Sequence, residues 1–213
     1  MKIQPQEKIV LLGASSGLGL AVESLLARRT EEAALSSFSR KKGGMDFSKR
    51  ELWTEHFKKI AELEMDRVLY FAGGGPFGNF ENFEWKDHEW ALNVSFLFPA
   101  FLLSSFLKLA HEGYPLKQIV FVGSAIAEKK PDPQAAMYCA AKHALRGLIS
   151  SVQLEKPQID LRLFSPGYMQ TALLPQKSWP RLKGLAQKVE PVAEEFVDFM
   201  TQPGPKLISN SIV

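Results

Sequence analysis

The chain is poor in cysteine: Cys139 is the only one among 213 residues. No internal disulfide can form, which fits a reducing compartment, and a cytoplasmic location is expected. Long apolar runs are also scarce. The longest, Val94 to Leu103, is interrupted by Ser95 and Pro99. It is shorter than a bilayer span and reads as a buried helix, so no membrane association is expected. Met1 to Lys8 is polar and lacks the apolar stretch of a signal peptide. Neither sign of charge dominates, with 26 basic and 23 acidic residues giving +3. That small excess reads as a solvated surface. Without an aromatic platform or a recognised motif beside it, nucleic-acid binding is not expected. Repeats, low-complexity stretches and linkers are missing as well, so residues 1–213 read as one domain large enough for a three-layer core. No metal is expected.

One local absence matters more. No acidic residue lies between Ala33 and Met45, whereas Arg40, Lys41 and Lys42 stand in a row. Here a second strand, Ala33 to Phe38, would end and the adenosine ribose of a bound dinucleotide would arrive. An acid there would accept the ribose 2′-OH of NAD. A guanidinium suits a 2′-phosphate, which favours NADP, with NAD possible. A solvated basic turn is the alternative reading of the same residues.

What is present alternates regularly. Lys8 to Leu12 is a short aliphatic run, read as a buried parallel strand. Gly13-Ala14-Ser15-Ser16-Gly17-Leu18-Gly19 follows, then a helical stretch to about Arg29. Strand, glycine loop and helix form the context of a dinucleotide-binding loop. Gly13 serves the tight turn, Gly17 the approach of a pyrophosphate, and Gly19 the packing of helix on strand. Free N–H groups at the helix start face the phosphates.

Further strands are expected at about 43–47 (very short), 67–72, 118–122, 160–164 and 206–213. Helices are expected at about 48–63, opened by a Ser48–Glu51 capping box, at 87–110 with a kink at Pro99, at 135–152 and at 192–200. The fold class is therefore α/β: a doubly wound, mostly parallel sheet of about seven strands with helices on both faces, shortened between the second and third strands. Gly13, Arg40, Gly73, Ser124 and Pro166 all fall at the carboxyl ends of strands, where such sheets bind ligands.

In the helix at 135–152, Tyr138 and Lys142 are i and i+4 neighbours. Free Tyr titrates near 10, so reaching about 7 requires roughly 4 kcal/mol of preference for the anion. One cation at about 4 Å provides energy of that order at an effective dielectric of about 20. The expectation is a phenol acidified by Lys142 that exchanges a proton with a carbonyl or alcohol oxygen. Taken alone, such a pair is usually just two surface neighbours.

Together these motifs resemble the short-chain dehydrogenase/reductase family, from Lys8 to about Thr171. The resemblance implies a Rossmann fold and NADP(H)-dependent transfer of hydride between nicotinamide and a carbonyl or alcohol substrate. It implies catalytic roles for Asn93, Ser124, Tyr138 and Lys142. Tyr138 would be the general acid or base, Lys142 would lower its pKa and hold the nicotinamide ribose, Ser124 would orient the substrate oxygen, and Asn93 would keep a water in a proton relay. It implies cofactor contacts at Gly13, Ser15, Ser16, Gly17, Leu18, Gly19, Ser39, Arg40, Asp46, Phe47, Ala72, Gly73, Tyr138, Lys142, Pro166, Gly167 and Thr171. A substrate segment at about 168–200 and a homodimer or homotetramer are also implied.

The sequence departs from the family in three places. Leu12 occupies a position often held by Thr, Phe71 replaces the Asn before Ala72-Gly73, and the connection from Arg40 to Asp46 is too short for the usual helical crossover. A nucleotide sensor without turnover is the competing reading.

Overall fold

The computed structural model describes residues 3–30, 33–125, 131–204 and 206–209. Its centre is a sheet of six parallel strands: β1 (Lys8–Leu12), β2 (Ala34–Phe38), β3 (Arg67–Tyr70), β4 (Gln118–Val122), β5 (Asp160–Ser165) and β6 (Leu207–Ser209), in the order β2-β1-β3-β4-β5-β6. The chain runs outward from β1 to β2 and then crosses back to β3 on the other side of β1. The crevice between the carboxyl ends of β1 and β3 is thus the switch point at which such sheets bind ligands.

Side-chain alternation assigns each strand residue to a face. Val10, Leu12, Val68 and Tyr70 join one core with Ile60, Phe98, Phe106 and Ile149. Ile9, Leu11 and Leu69 join the other with Val22, Leu26, Phe196 and Met200. The first core is covered by α2 (Trp53–Ala61), α4 (Phe98–His111) and α5 (Ala136–Leu154), and the second by α1 (Gly17–Arg29) and α7 (Val189–Thr201). Strand positions buried on both faces need apolar residues, hence the continuous run at residues 9–12 after the exposed Lys8.

Six strands form among the described residues, not seven. The expected short strand at 43–47 is a loop. Gly43 and Gly44 both take positive φ, and Met45 N–H turns back to the Ser39 carbonyl at 3.0 Å, so the chain reverses where a strand would extend. Residues 210–213 of the expected last strand, like 126–130 before α5, lie outside the described residues.

The Ser48 capping box does not form either. Asp46 captures Ser48, accepting its hydroxyl at 2.7 Å and its N–H at 3.0 Å. A 3₁₀ turn at Arg50–Leu52 leads into α2 instead.

The helical run Trp85–His111 is 27 residues and, by length and composition alone, long and apolar enough to cross a membrane. This corrects the expectation that no stretch reaches that length. The run is not uniform: α3 (Trp85–Leu92) passes through a π turn at Asn93–Leu97 into α4. Pro99 has no N–H to give this turn, and the Val94 carbonyl accepts the Tyr70 hydroxyl at 2.7 Å.

Candidate active site

A cleft of about 630 Å³ opens at the carboxyl ends of the strands. Its first wall is the loop between β1 and α1. Gly13 has φ +90°, and a Cβ there would lie 2.4 Å from the Ala72 nitrogen. A Cβ on Gly19 would lie 2.9 Å from the Ala14 Cα and the Gly13 oxygen. Backbone therefore packs against backbone at both positions, and only glycine allows it. Across the cleft Thr171 approaches this loop, its Cγ2 being 3.3 Å from a Cβ built on Gly17. The result is a narrow cradle at a helix N-terminus, where free N–H groups favour an anion.

Apart from Asn93, every residue expected to bind cofactor or catalyse lines this cleft. Gly13, Ser15, Ser16, Gly17, Leu18 and Gly19 form the cradle. Ser39, Arg40, Asp46 and Phe47 form the end beyond β2. Ala72 and Gly73 follow β3, Ser124 follows β4, and Pro166, Gly167 and Thr171 follow β5. Tyr138 and Lys142 enter from α5. The switch point thus gathers side chains more than 120 positions apart in sequence.

Asn93 is placed elsewhere. Its amide donates to the Ser48 carbonyl and accepts from Arg50 Nε, both at 2.9 Å. It lies in the π turn and ties the 48–50 segment to the helix, so its side chain is engaged outside the proposed proton relay. The residue of the same turn that meets the cleft loop is Ser95. Its hydroxyl donates to the Gly74 carbonyl and accepts the Gly74 N–H, both at 3.0 Å, and holds the Gly73–Pro76 loop against Tyr138.

Phe71, in place of an asparagine, turns onto the α7 face and packs on Phe196 with ring centroids 4.9 Å apart. Apolar packing replaces the polar brace, and the cleft stays open. Sequence reasoning also missed Trp90 and Leu173, which flank Gly74 at the cleft wall. As an aromatic and an aliphatic residue in apolar surroundings they carry no signal of a ligand role. Of the span 168–200 assigned to substrate, the residues lining the cleft or its side chamber end at Leu174. α7 is core and packs on α1.

The electrostatics correct a second expectation. Burial pushes the Tyr138 phenol up to about 12, with Ser124's hydrogen bond acting in the opposite direction. Lys142 does not bring it down to the neutral range. The Lys142 ammonium is itself buried, which pulls it down to about 8, and it donates to the Val122 carbonyl at 2.7 Å. Its distance to the Tyr138 ring centroid is 5.7 Å. Loss of water around both groups outweighs a charge that a carbonyl already shares. At neutral pH Tyr138 is a proton-bearing phenol beside the Ser124 hydroxyl.

The basic turn is divided in use. Lys42 pairs with Glu23 of α1 at 2.6 Å, whereas Arg40 and Lys41 are exposed at the cleft.

A parallel sheet, a glycine cradle at its switch point and a Ser–Tyr–Lys cluster at its centre define a dinucleotide-binding protein of the Rossmann class. The family model for short chain dehydrogenases matches residues 7–180, and the chain belongs to that family. It is 31% identical over 110 residues to an uncharacterized oxidoreductase of Schizosaccharomyces pombe, covering 50% of this chain and 37% of that protein. It is 23% identical over 154 residues to a sepiapterin reductase of Chlorobaculum tepidum, covering 70% and 61% respectively. The chain thus matches less than two thirds of the length of either relative. Among solved structures it resembles an alcohol dehydrogenase of Thermococcus sibiricus complexed with 5-hydroxy-NADP, with TM-score 0.76, 21% identity and 97% of each chain covered.

Proposed function

We propose that the protein is an NADPH-dependent reductase of small carbonyl compounds. The observation that carries this reading is the meeting of Ser124, Tyr138 and Lys142 in the same cleft as the glycine cradle. When bound, the nicotinamide cofactor supplies the hydride. The residues named above would hold it: the cradle its pyrophosphate, Arg40 and Lys41 a 2′-phosphate, and Thr171 with Pro166 and Gly167 its nicotinamide end. The 5-hydroxy-NADP bound to the similar Thermococcus sibiricus structure supports the preference for the phosphorylated cofactor.

Ser124 donates a hydrogen bond to the substrate oxygen, where negative charge develops as the carbonyl is reduced. Tyr138 gives that oxygen its proton. A phenol pushed up to about 12 keeps its proton at neutral pH, so reduction is the direction that the resting protein is prepared for. Lys142, held on the Val122 carbonyl, keeps a positive charge beneath the cleft that favours the phenolate left after the transfer.

The test is NADPH oxidation measured against a panel of ketones and aldehydes. Turnover that falls by a factor of about 10² or more in Tyr138→Phe is expected for a lost general acid. NADPH binding without turnover of any carbonyl would return the protein to the sensor reading.

A further inference from the structure

Beside the cleft lies a side chamber of about 90 Å³, whose wall includes the expected cofactor contacts Tyr138, Gly167 and Thr171. Ser124 and Tyr138 line both spaces, so the chamber begins where a substrate oxygen would be held. The rest of its wall is mostly apolar, from Pro76, Phe77 and Met169 among others. Tyr168 and Thr171 add hydroxyls, and the acid among the lining residues is Asp132, in the loop that precedes α5.

Asp132 is only 6% exposed. Its Oδ1 accepts the Trp179 indole N–H at 2.7 Å, from the short helix α6 (Trp179–Leu182). The Tyr168 hydroxyl also donates to it, and that phenol is pushed up by burial and by the Asp132 charge. Both donors are neutral. A carboxylate offers about four acceptor positions, so two donors leave capacity at the chamber wall.

Among the described residues, no ion pair reaches Asp132. Of the cations near its Trp179 partner in sequence, Lys177 is exposed and two others have contacts of their own. Arg181 donates to the Thr171 and Leu174 carbonyls, and Lys183 lies over the Trp179 ring. A buried acid with neutral partners alone is costly, and buried charges are normally paired. Here, among the described residues, the acid has only neutral partners and lines a cavity.

We propose that Asp132 is a specificity residue that selects substrates carrying a protonated amine close to the reacting carbon. The proposal rests on the carbonyl-reductase reading of the same site. The chamber holds roughly three water volumes, so the selected group is small: an ammonium on one or two carbons rather than a long cationic chain. The mostly apolar walls strengthen the ion pair. As a strut alone, between its loop and α6, Asp132 would serve equally well as an asparagine.

The experiment compares 1-amino-2-propanol with 2-butanol, in which a methyl replaces the ammonium. Both are oxidised with NADP⁺ by the full-length protein above pH 7, and NADPH absorbance is followed. Wild type should favour the amino alcohol in kcat/KM by about tenfold or more, the size of one charge-assisted hydrogen bond. Asp132→Asn, which keeps an acceptor for Trp179, should lower that ratio by a similar factor. A wild-type ratio near one overturns the proposal, and so does a variant that loses both substrates equally.

Calorimetric titration of the two alcohols into protein holding NADPH separates this proposal from the reductase reading. Tighter binding of the amino alcohol, lost in Asp132→Asn, supports Asp132 even where no hydride moves. Equal binding of both alcohols overturns it even where carbonyls are reduced.

Discussion

The Lys142 ammonium and the Val122 carbonyl oxygen lie 2.7 Å apart in the protein interior. This contact anchors the helix that carries Tyr138 to the end of β4. It also places a charge where water cannot reach it.

That placement has a cost that can be measured. Burial lowers Lys142 from 10.5 to about 8. Between those values the unfolded chain binds a proton that the folded chain releases, so stability rises with pH across the window and the penalty is fully present below about pH 8. The shift corresponds to about 3 kcal/mol, less whatever the Val122 hydrogen bond returns. Lys142→Met should therefore be more stable than wild type at pH 7 by about 1–3 kcal/mol, and its advantage should shrink by pH 10. Urea midpoints at the two pH values check this, and the same variant should lose most of its turnover.

Arg40 and Lys42 should behave differently although only one residue separates them. Arg40 is exposed at the cleft, whereas Lys42 is held by Glu23. Arg40→Ala should weaken NADPH binding by about tenfold or more while changing NADH binding little, as expected for a guanidinium on a phosphate. Lys42→Ala should discriminate far less between the two nucleotides. Fluorescence titration with each nucleotide decides, and equal losses in Arg40→Ala would remove the 2′-phosphate assignment.

Gly19→Ala places a methyl 2.9 Å from the Ala14 Cα and the Gly13 oxygen, both of them backbone. Neither can rotate away, so the loop must shift. A cost of about 1–3 kcal/mol is expected, the usual size for overpacking. A lower denaturation midpoint together with weaker nucleotide binding is the expected pair of results.

At the opposite ends of the strands, Arg67 is fully buried and paired with Glu7 at 3.1 Å. Its guanidinium also donates to the Gln118 side chain at 2.7 Å. Glu7→Ala strands a buried cation and should cost about 3–5 kcal/mol. Glu7→Gln keeps an acceptor and should cost less. Since this cluster sits away from the cleft, the folded fraction of either variant should keep its kcat.

The glycine cradle, the strand order of motifs and the Tyr138–Lys142 spacing could all be read from the chain, because each is a local pattern. A turn with positive φ, a continuous apolar strand or an i, i+4 pair is written in neighbouring residues. Position at the strand ends pointed to Gly13, Arg40, Gly73, Ser124 and Pro166, and all five line one cleft.

Other features depended on what packs around a group, which no local pattern records. Asn93 had the right position for a relay, but Arg50 and the Ser48 carbonyl hold its amide. Tyr138 had a cation at the right spacing, but desolvation moved the phenol up rather than down. The strand expected at 43–47 lost to two glycines that reverse the chain, and Lys42 was taken by Glu23. Asp132 gave no local signal, and only the fold set Tyr168 and Trp179 against it. Sequence determined which groups the chain possesses and where along each strand and helix they sit. Tertiary structure alone decided which of them are deprived of water and which already have a partner, because both depend on contacts between distant segments.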